Sequence, residues 1–99
     1  MNLSCYTKHH KHPMKITKLH QNEFARLLNV SAKGFGCNSL KDFLVKTAEL
    51  APHRKPEDVI NNCLIRGKVR IYVRDVLYPY LNHNNIYSFL RHLIKEEMA

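Results

Sequence analysis

Acidic residues are scarce in this chain of 99 residues: eight Asp and Glu stand against sixteen Lys and Arg, with seven His besides, for a net charge of +8. So large an excess on a short chain sets up a long-range positive field. It favours polyanions as partners: nucleic acid first, then an acidic protein, then an anionic membrane surface. Cysteine is sparse as well. Cys5, Cys37 and Cys63 are odd in number, widely spaced and form no CxxC pair. That argues against a disulfide framework and for a reducing, cytoplasmic setting. No apolar run of the signal-peptide kind opens the chain, and no window approaches the ~18 apolar residues of a membrane span, so no membrane partner is expected.

Catalytic signatures are missing too. There is no HExxH, no GxSxG and no pair of metal-binding carboxylates, and the GFG of residues 34–36 lacks the Lys-Ser/Thr that completes a phosphate loop. Nothing around Cys37 and His53 argues for a nucleophile and its base. A protein that is not an enzyme, and that carries no cofactor, is the expectation. The length suits one small domain.

Residues 1–15, MNLSCYTKHHKHPMK, show neither helical nor strand periodicity and contain Lys8, Lys11 and Lys15 with no acid. They read as a flexible basic arm. Cys5, His9, His10 and His12 are chemically suitable zinc ligands, but no second cluster supplies spaced partners, so no metal site is assigned. Residues 16–99 read as a single helical domain. The first helix carries Phe24, Leu27 and Leu28 on one face and should fade at Asn29, before Val30, Ser31 and the glycines. Ser39 and Asp42 form a loose capping box opening a second helix with the stripe Leu40, Phe43, Leu44, Thr47 and Ala48, ended by Pro52. Pro56 with Glu57 and Asp58 opens a third, with Val59, Ile60, Cys63 and Leu64 inward and Gly67 at its end. After residues 82–85, Ile86, Phe89, Leu90, Leu93 and Ile94 mark the last helix.

The stretch RGKVRIYVRDVLYPYL, residues 66–81, admits two periods. Alternation puts Val69, Ile71 and Val73 on one side and Lys68, Arg70, Tyr72 and Arg74 on the other, a half-buried strand with a basic outer face. A helical period aligns Val69, Tyr72, Val73, Val76, Leu77, Tyr80 and Leu81 equally well. Residue type favours a strand or hairpin near 69–73, since Val, Ile and Tyr prefer strands, with a short helix bent at Pro79 after it. The fold class expected is therefore mainly α, four to five helices with one wing-like β element.

Two pieces resemble a known family. HQNEFARLLNVSAK, residues 20–33, is similar to the first helix and turn of helix-turn-helix DNA-binding proteins, with Glu23, Phe24, Ala25, Leu27, Leu28, Val30 and Ser31 in the usual places. GKVRIYVRDVLYPYL, residues 67–81, resembles the wing strand and following helix of small phage excisionases and MerR-type relatives. The resemblance covers about thirty residues. It implies a DNA-binding regulator of transcription from a phage or mobile element. SAKGFGCN, residues 31–38, departs from the pattern: its glycines stand where the family places a recognition helix.

On charge and resemblance together, the function expected is nucleic-acid binding, DNA ahead of RNA, by a regulatory protein that contacts the phosphate backbone. Arg66, Lys68, Arg70 and Arg74 would contact phosphates, Tyr72 would stack or donate, Lys33 would lie near the turn, and Lys8, Lys11 and Lys15 would add contacts from the arm. The alternative is an interaction module that docks on an acidic protein, with Tyr72, Tyr78, Tyr80, Tyr87 and Phe89 as interface aromatics. A homodimer through the last helix is compatible with both.

Overall fold

A computed structural model of the chain describes residues 16–81 and 85–99, and within them it contains helices, turns and no strand. The order is α1 (Lys18–Gly34), α2 (Leu40–Leu50), α3 (Pro56–Cys63), α4 (Lys68–Tyr72) and α5 (Asn85–Met98). A π-helical turn (Val73–Leu77) and a 3-10 turn (Tyr78–Tyr80) prolong α4. The arm, with Lys8, Lys11, Lys15 and the histidine group, lies outside the described residues.

Helix α1 opens on Thr17, whose hydroxyl accepts the His20 N–H at 3.2 Å while His20 Nδ1 accepts the Thr17 N–H at 3.1 Å. An imidazole thus fills the place that Glu or Gln takes in the usual capping box. The helix does not fade at Asn29. It runs on through Val30 and Ser31 to Gly34, because two bonds to other elements, to Leu40 and Leu64, and one within α1 hold the extra turn in place. Asn29 Oδ1 accepts the Leu40 N–H at 2.8 Å, its Nδ2 donates to the Ala25 carbonyl at 2.8 Å, and the Ser31 hydroxyl donates to the Leu64 carbonyl at 2.9 Å. Ala32 is fully buried beneath them. The turn of a helix-turn-helix is therefore absent from residues 29–31.

The Ser39 cap on α2 forms as the sequence indicates, its hydroxyl accepting the Asp42 N–H at 3.1 Å. Asp42 returns a bond to Asn38, one residue before the cap, at 2.8 Å. That backbone donor, aided by Lys46, holds the Asp42 carboxyl below the usual carboxylate range. In α2, Leu40, Phe43 and Leu44 are buried while Ala48 faces solvent. Helix α3 begins at Pro56 but ends at Cys63, before Gly67. Gly67 instead precedes α4 with φ of +56°, a conformation L side chains rarely adopt.

The strand expected at 69–73 is a helix. Alternation would bury Ile71, which is 49% exposed, whereas Val69, Val73 and Leu77 recur every fourth residue and are all buried. Burial of that stripe against α1 outweighs the modest strand preference of Val, Ile and Tyr. Three contacts fix the pairing: Ser31 meets Leu64, Glu23 meets Tyr72, and the His20 ring lies 4.9 Å from that of Tyr80. Helix α4 therefore runs antiparallel to α1. Helix α5 is antiparallel to α1 through Phe24–Phe89 and Lys18–Glu96, and to α3 through Asn61–Tyr87 and Glu57–Arg91. Phe24, Leu28, Leu40, Ile60, Leu64, Leu77 and Leu90, drawn from every layer, are shut off from solvent and form one core. No helix among the described residues is long and apolar enough to cross a membrane.

Candidate nucleic-acid interface

Folding of residues 68–80 as a helix redistributes the side chains that alternation would have put on one face. Lys68, Arg70, Ile71, Arg74 and Tyr78 are exposed, and Val69, Val73 and Leu77 are buried. Tyr72 leaves the cationic set. Its ring lies 6.1 Å from that of Phe24, and its hydroxyl donates to Glu23 Oε1 at 2.8 Å. Burial, reinforced by the Glu23 carboxylate, pushes the phenol up to about 12. A hydroxyl so committed is not presented to a phosphate alongside Arg70 and Arg74, as the strand reading required.

The remaining expected cations divide into two groups. Lys33 lies in the last turn of α1, where a cation opposes the negative end of the helix dipole. Next to it Phe35, still 45% exposed, carries the Arg66 guanidinium 5.4 Å above its ring, and Lys68 opens α4 just beyond. The second group is Arg70 and Arg74, a helical turn apart. They line an open groove of about 530 Å³ with Asn61 and Asn62 from α3 and Tyr78, over a floor that includes Ile65 and Val73. Tyr78 is 60% exposed.

Carboxylates are mostly engaged elsewhere. Glu57, buried against α5, accepts from Arg91 Nη1 at 3.4 Å, Asp42 pairs with Lys46 at 3.2 Å, and Glu96 pairs with Lys18 at 3.3 Å. Lys33, Arg66, Lys68 and Arg70 have no carboxylate within salt-bridge distance among the described residues. Arg74 has one. Its Nε and Nη2 reach Asp75 at 2.9 and 3.4 Å, which holds the Asp75 carboxyl low and the guanidinium high while leaving Nη1 outside the pair.

No protein-family model matches this chain, and no curated protein or solved structure matches it either. The chemistry of the site has to be taken from its own groups. Guanidiniums present forked donors that fit phosphate, lysine ammoniums add mobile point charges, and side-chain amides offer a donor and an acceptor together. Among the described residues no group of three His, Cys, Asp or Glu side chains could hold a metal ion. Asn61, Asn62 and Phe35 were not among the expected site residues, and Tyr78 was noted only as an interface aromatic. The spacing 70, 74, 78 would have linked Tyr78 to the arginines once a helical period was adopted, but no local signal connects them to α3.

Proposed function

We propose that the protein binds nucleic acid, with DNA as the first choice, by contacting the phosphate backbone. The reading is carried by one observation: Lys33, Arg66, Lys68 and Arg70 project to solvent with no carboxylate in salt-bridge reach among the described residues, while five of the chain's eight carboxylates, those of Glu23, Asp42, Glu57, Asp75 and Glu96, are engaged by internal partners. Such cations displace condensed counterions from a polyanion, and that release drives association. Lys8, Lys11 and Lys15 would extend the contact from the arm. The reading requires no wing, no recognition helix and no chemical step, and it makes affinity depend more on salt than on base sequence.

The test is fluorescence anisotropy of nucleic-acid-free protein on labelled random duplex DNA over a salt series. Affinity should fall steeply with salt, and Arg66→Glu combined with Lys68→Glu should reduce the slope of log K against log salt by about 2, at roughly 0.9 per phosphate contact. Circular dichroism should be unchanged, since both side chains are exposed. An unaltered slope in the folded double variant would remove these residues from the interface. Absence of binding at low salt would overturn the reading itself and turn attention to an acidic protein partner.

A further inference from the structure

The groove between α3 and the extended α4 has a composition that backbone binding alone does not require. A phosphate-tracking surface needs cations. This one adds an exposed tyrosine ring and two amides, Asn62 and Asn61, the latter donating one N–H to the Tyr87 hydroxyl and keeping its Oδ1 and second N–H, and it is concave. We infer that the groove seats one nucleotide of a single-stranded nucleic acid, with the base stacked on Tyr78, its edge facing the Asn61 and Asn62 amides, and its phosphate at Arg70 and Arg74. The inference rests on the reading of the protein as a nucleic-acid binder and narrows it to unpaired strands.

Three features support it. First, Tyr78 makes no hydrogen bond through its hydroxyl and no ring contact among the described residues, unlike Tyr72, Tyr80 and Tyr87, which are each engaged. A large aromatic left this open beside two guanidiniums is the arrangement that single-strand binders use, because every base offers a π-face to an aromatic side chain. Secondly, a volume of about 530 Å³ falls within the range of small-molecule sites, roughly 300–1,000 Å³, and is open enough for a strand to enter and leave. A base in a duplex cannot enter without being flipped out of its stack. Thirdly, the backbone at the rim departs from regular α-helix. The Tyr78 N–H bonds to the Val73 carbonyl, five residues back, and such π-helical turns occur frequently at functional sites.

An acidic peptide is the competing occupant, and the floor argues against it. Ile65 and Val73 are only 7% and 8% exposed, and Ile86 at the edge of α5 is the one half-buried aliphatic in the lining, so the groove offers a single apolar contact and not a row of pockets for anchors. Peptide grooves rely on such anchors.

The test uses the full chain with a fluorescein-labelled oligo-dT of about 12 nucleotides, within the span a single-strand groove covers, beside the random duplex and a labelled Glu-rich peptide. Tyr78→Ala is the informative variant, because the ring is largely exposed and its removal should leave the fold intact by circular dichroism. Wild type is expected to prefer oligo-dT to duplex, and Tyr78→Ala to weaken oligo-dT binding roughly 5- to 150-fold, the contribution of one stacked base, with duplex binding unchanged. Arg70→Ala should weaken oligo-dT binding and lower its salt slope by about 0.7. Equal oligo-dT binding by folded Tyr78→Ala overturns the groove assignment while leaving backbone binding in place. Loss of duplex and oligo-dT binding together, in wild type, defeats the underlying reading instead. Peptide binding that depends on Tyr78, with no oligo-dT binding, reassigns the groove to a protein partner.

Discussion

Replacing Tyr72 by Phe removes one oxygen and tests the helical placement of residues 68–72 more sharply than any charge reversal. The hydroxyl donates to the Glu23 carboxylate at 2.8 Å at the α1–α4 contact. A hydrogen bond to a charged acceptor contributes about 1.5–3 kcal/mol, and Glu23 keeps some access to water, so the loss at neutral pH should be about 1–2 kcal/mol. The ring stays, and with it the packing on Phe24. The same contact has a pH signature. The phenol is raised from 10 to about 12 in the fold, chiefly by burial and then by Glu23, so the folded state favours the neutral form. A raised value contributes its full stability below the unfolded value of 10 and loses it as pH climbs from 10 toward 12. A shift of that size corresponds to a ceiling of roughly 2.7 kcal/mol, reduced by solvent screening to about 1–2 kcal/mol.

Urea unfolding of wild type and Tyr72→Phe, followed by circular dichroism at neutral pH and near pH 11, reads both effects. The wild type should be the more stable at neutral pH, and most of the gap should close near pH 11, because lysines and other tyrosines titrate alike in both proteins and cancel. Affinity for duplex DNA at neutral pH should be the same in the two. A gap that persists undiminished near pH 11 would refute the Glu23 contact, and a selective loss of DNA affinity would return Tyr72 to the outer face.

Two further substitutions probe the joints of the fold. Asn29→Ala deletes the bond that joins α1 to the start of α2, along with a bond back to Ala25 within α1, leaves the Leu40 N–H without its partner, and should cost about 1–3 kcal/mol in urea unfolding; a cost near zero would mean that the joint is held by packing alone. Gly67→Ala should cost about 1–3 kcal/mol from its positive φ although a Cβ would meet nothing there, whereas Gly34→Ala in α1, with equal space and ordinary φ, should be neutral or stabilise by up to about 1 kcal/mol.

The elements whose boundaries are written in local chemistry were legible in the sequence. Ser39 and Pro56 mark the starts of α2 and α3, and the buried face of α5 is the one its period indicates. The misreadings fall where a distant partner decides. Asn29 looks like a stop until Leu40 arrives to use its side chain, and Val30 and Ser31 are poor formers that Leu64 and the burial of Ala32 retain in the helix. At 68–72 both periods fitted, and only the neighbouring α1 distinguishes an inward Tyr72 from an inward Ile71. Gly67 reads as a breaker that would end α3, whereas it stands at the start of α4. The cations of the candidate interface were visible individually. Their division into a Phe35–Arg66 end and an Arg70–Arg74 groove was not, because it depends on where α3 lies.

The π-helical turn has a consequence for how the chain can vary. Between Val73 and Leu77 it contains one residue more than an uninterrupted α-helix needs to join the same ends. Loss of one position among 74–76 would let the helix close regularly with its inward stripe preserved, so chain length is uncoupled from the core at this point. Of these positions Arg74 and Asp75 are exposed and Val76 is half-buried. Natural variants with a single-residue deletion here would therefore exchange rim chemistry without repacking the interior, and the segment is one where the rim can change while the fold is kept.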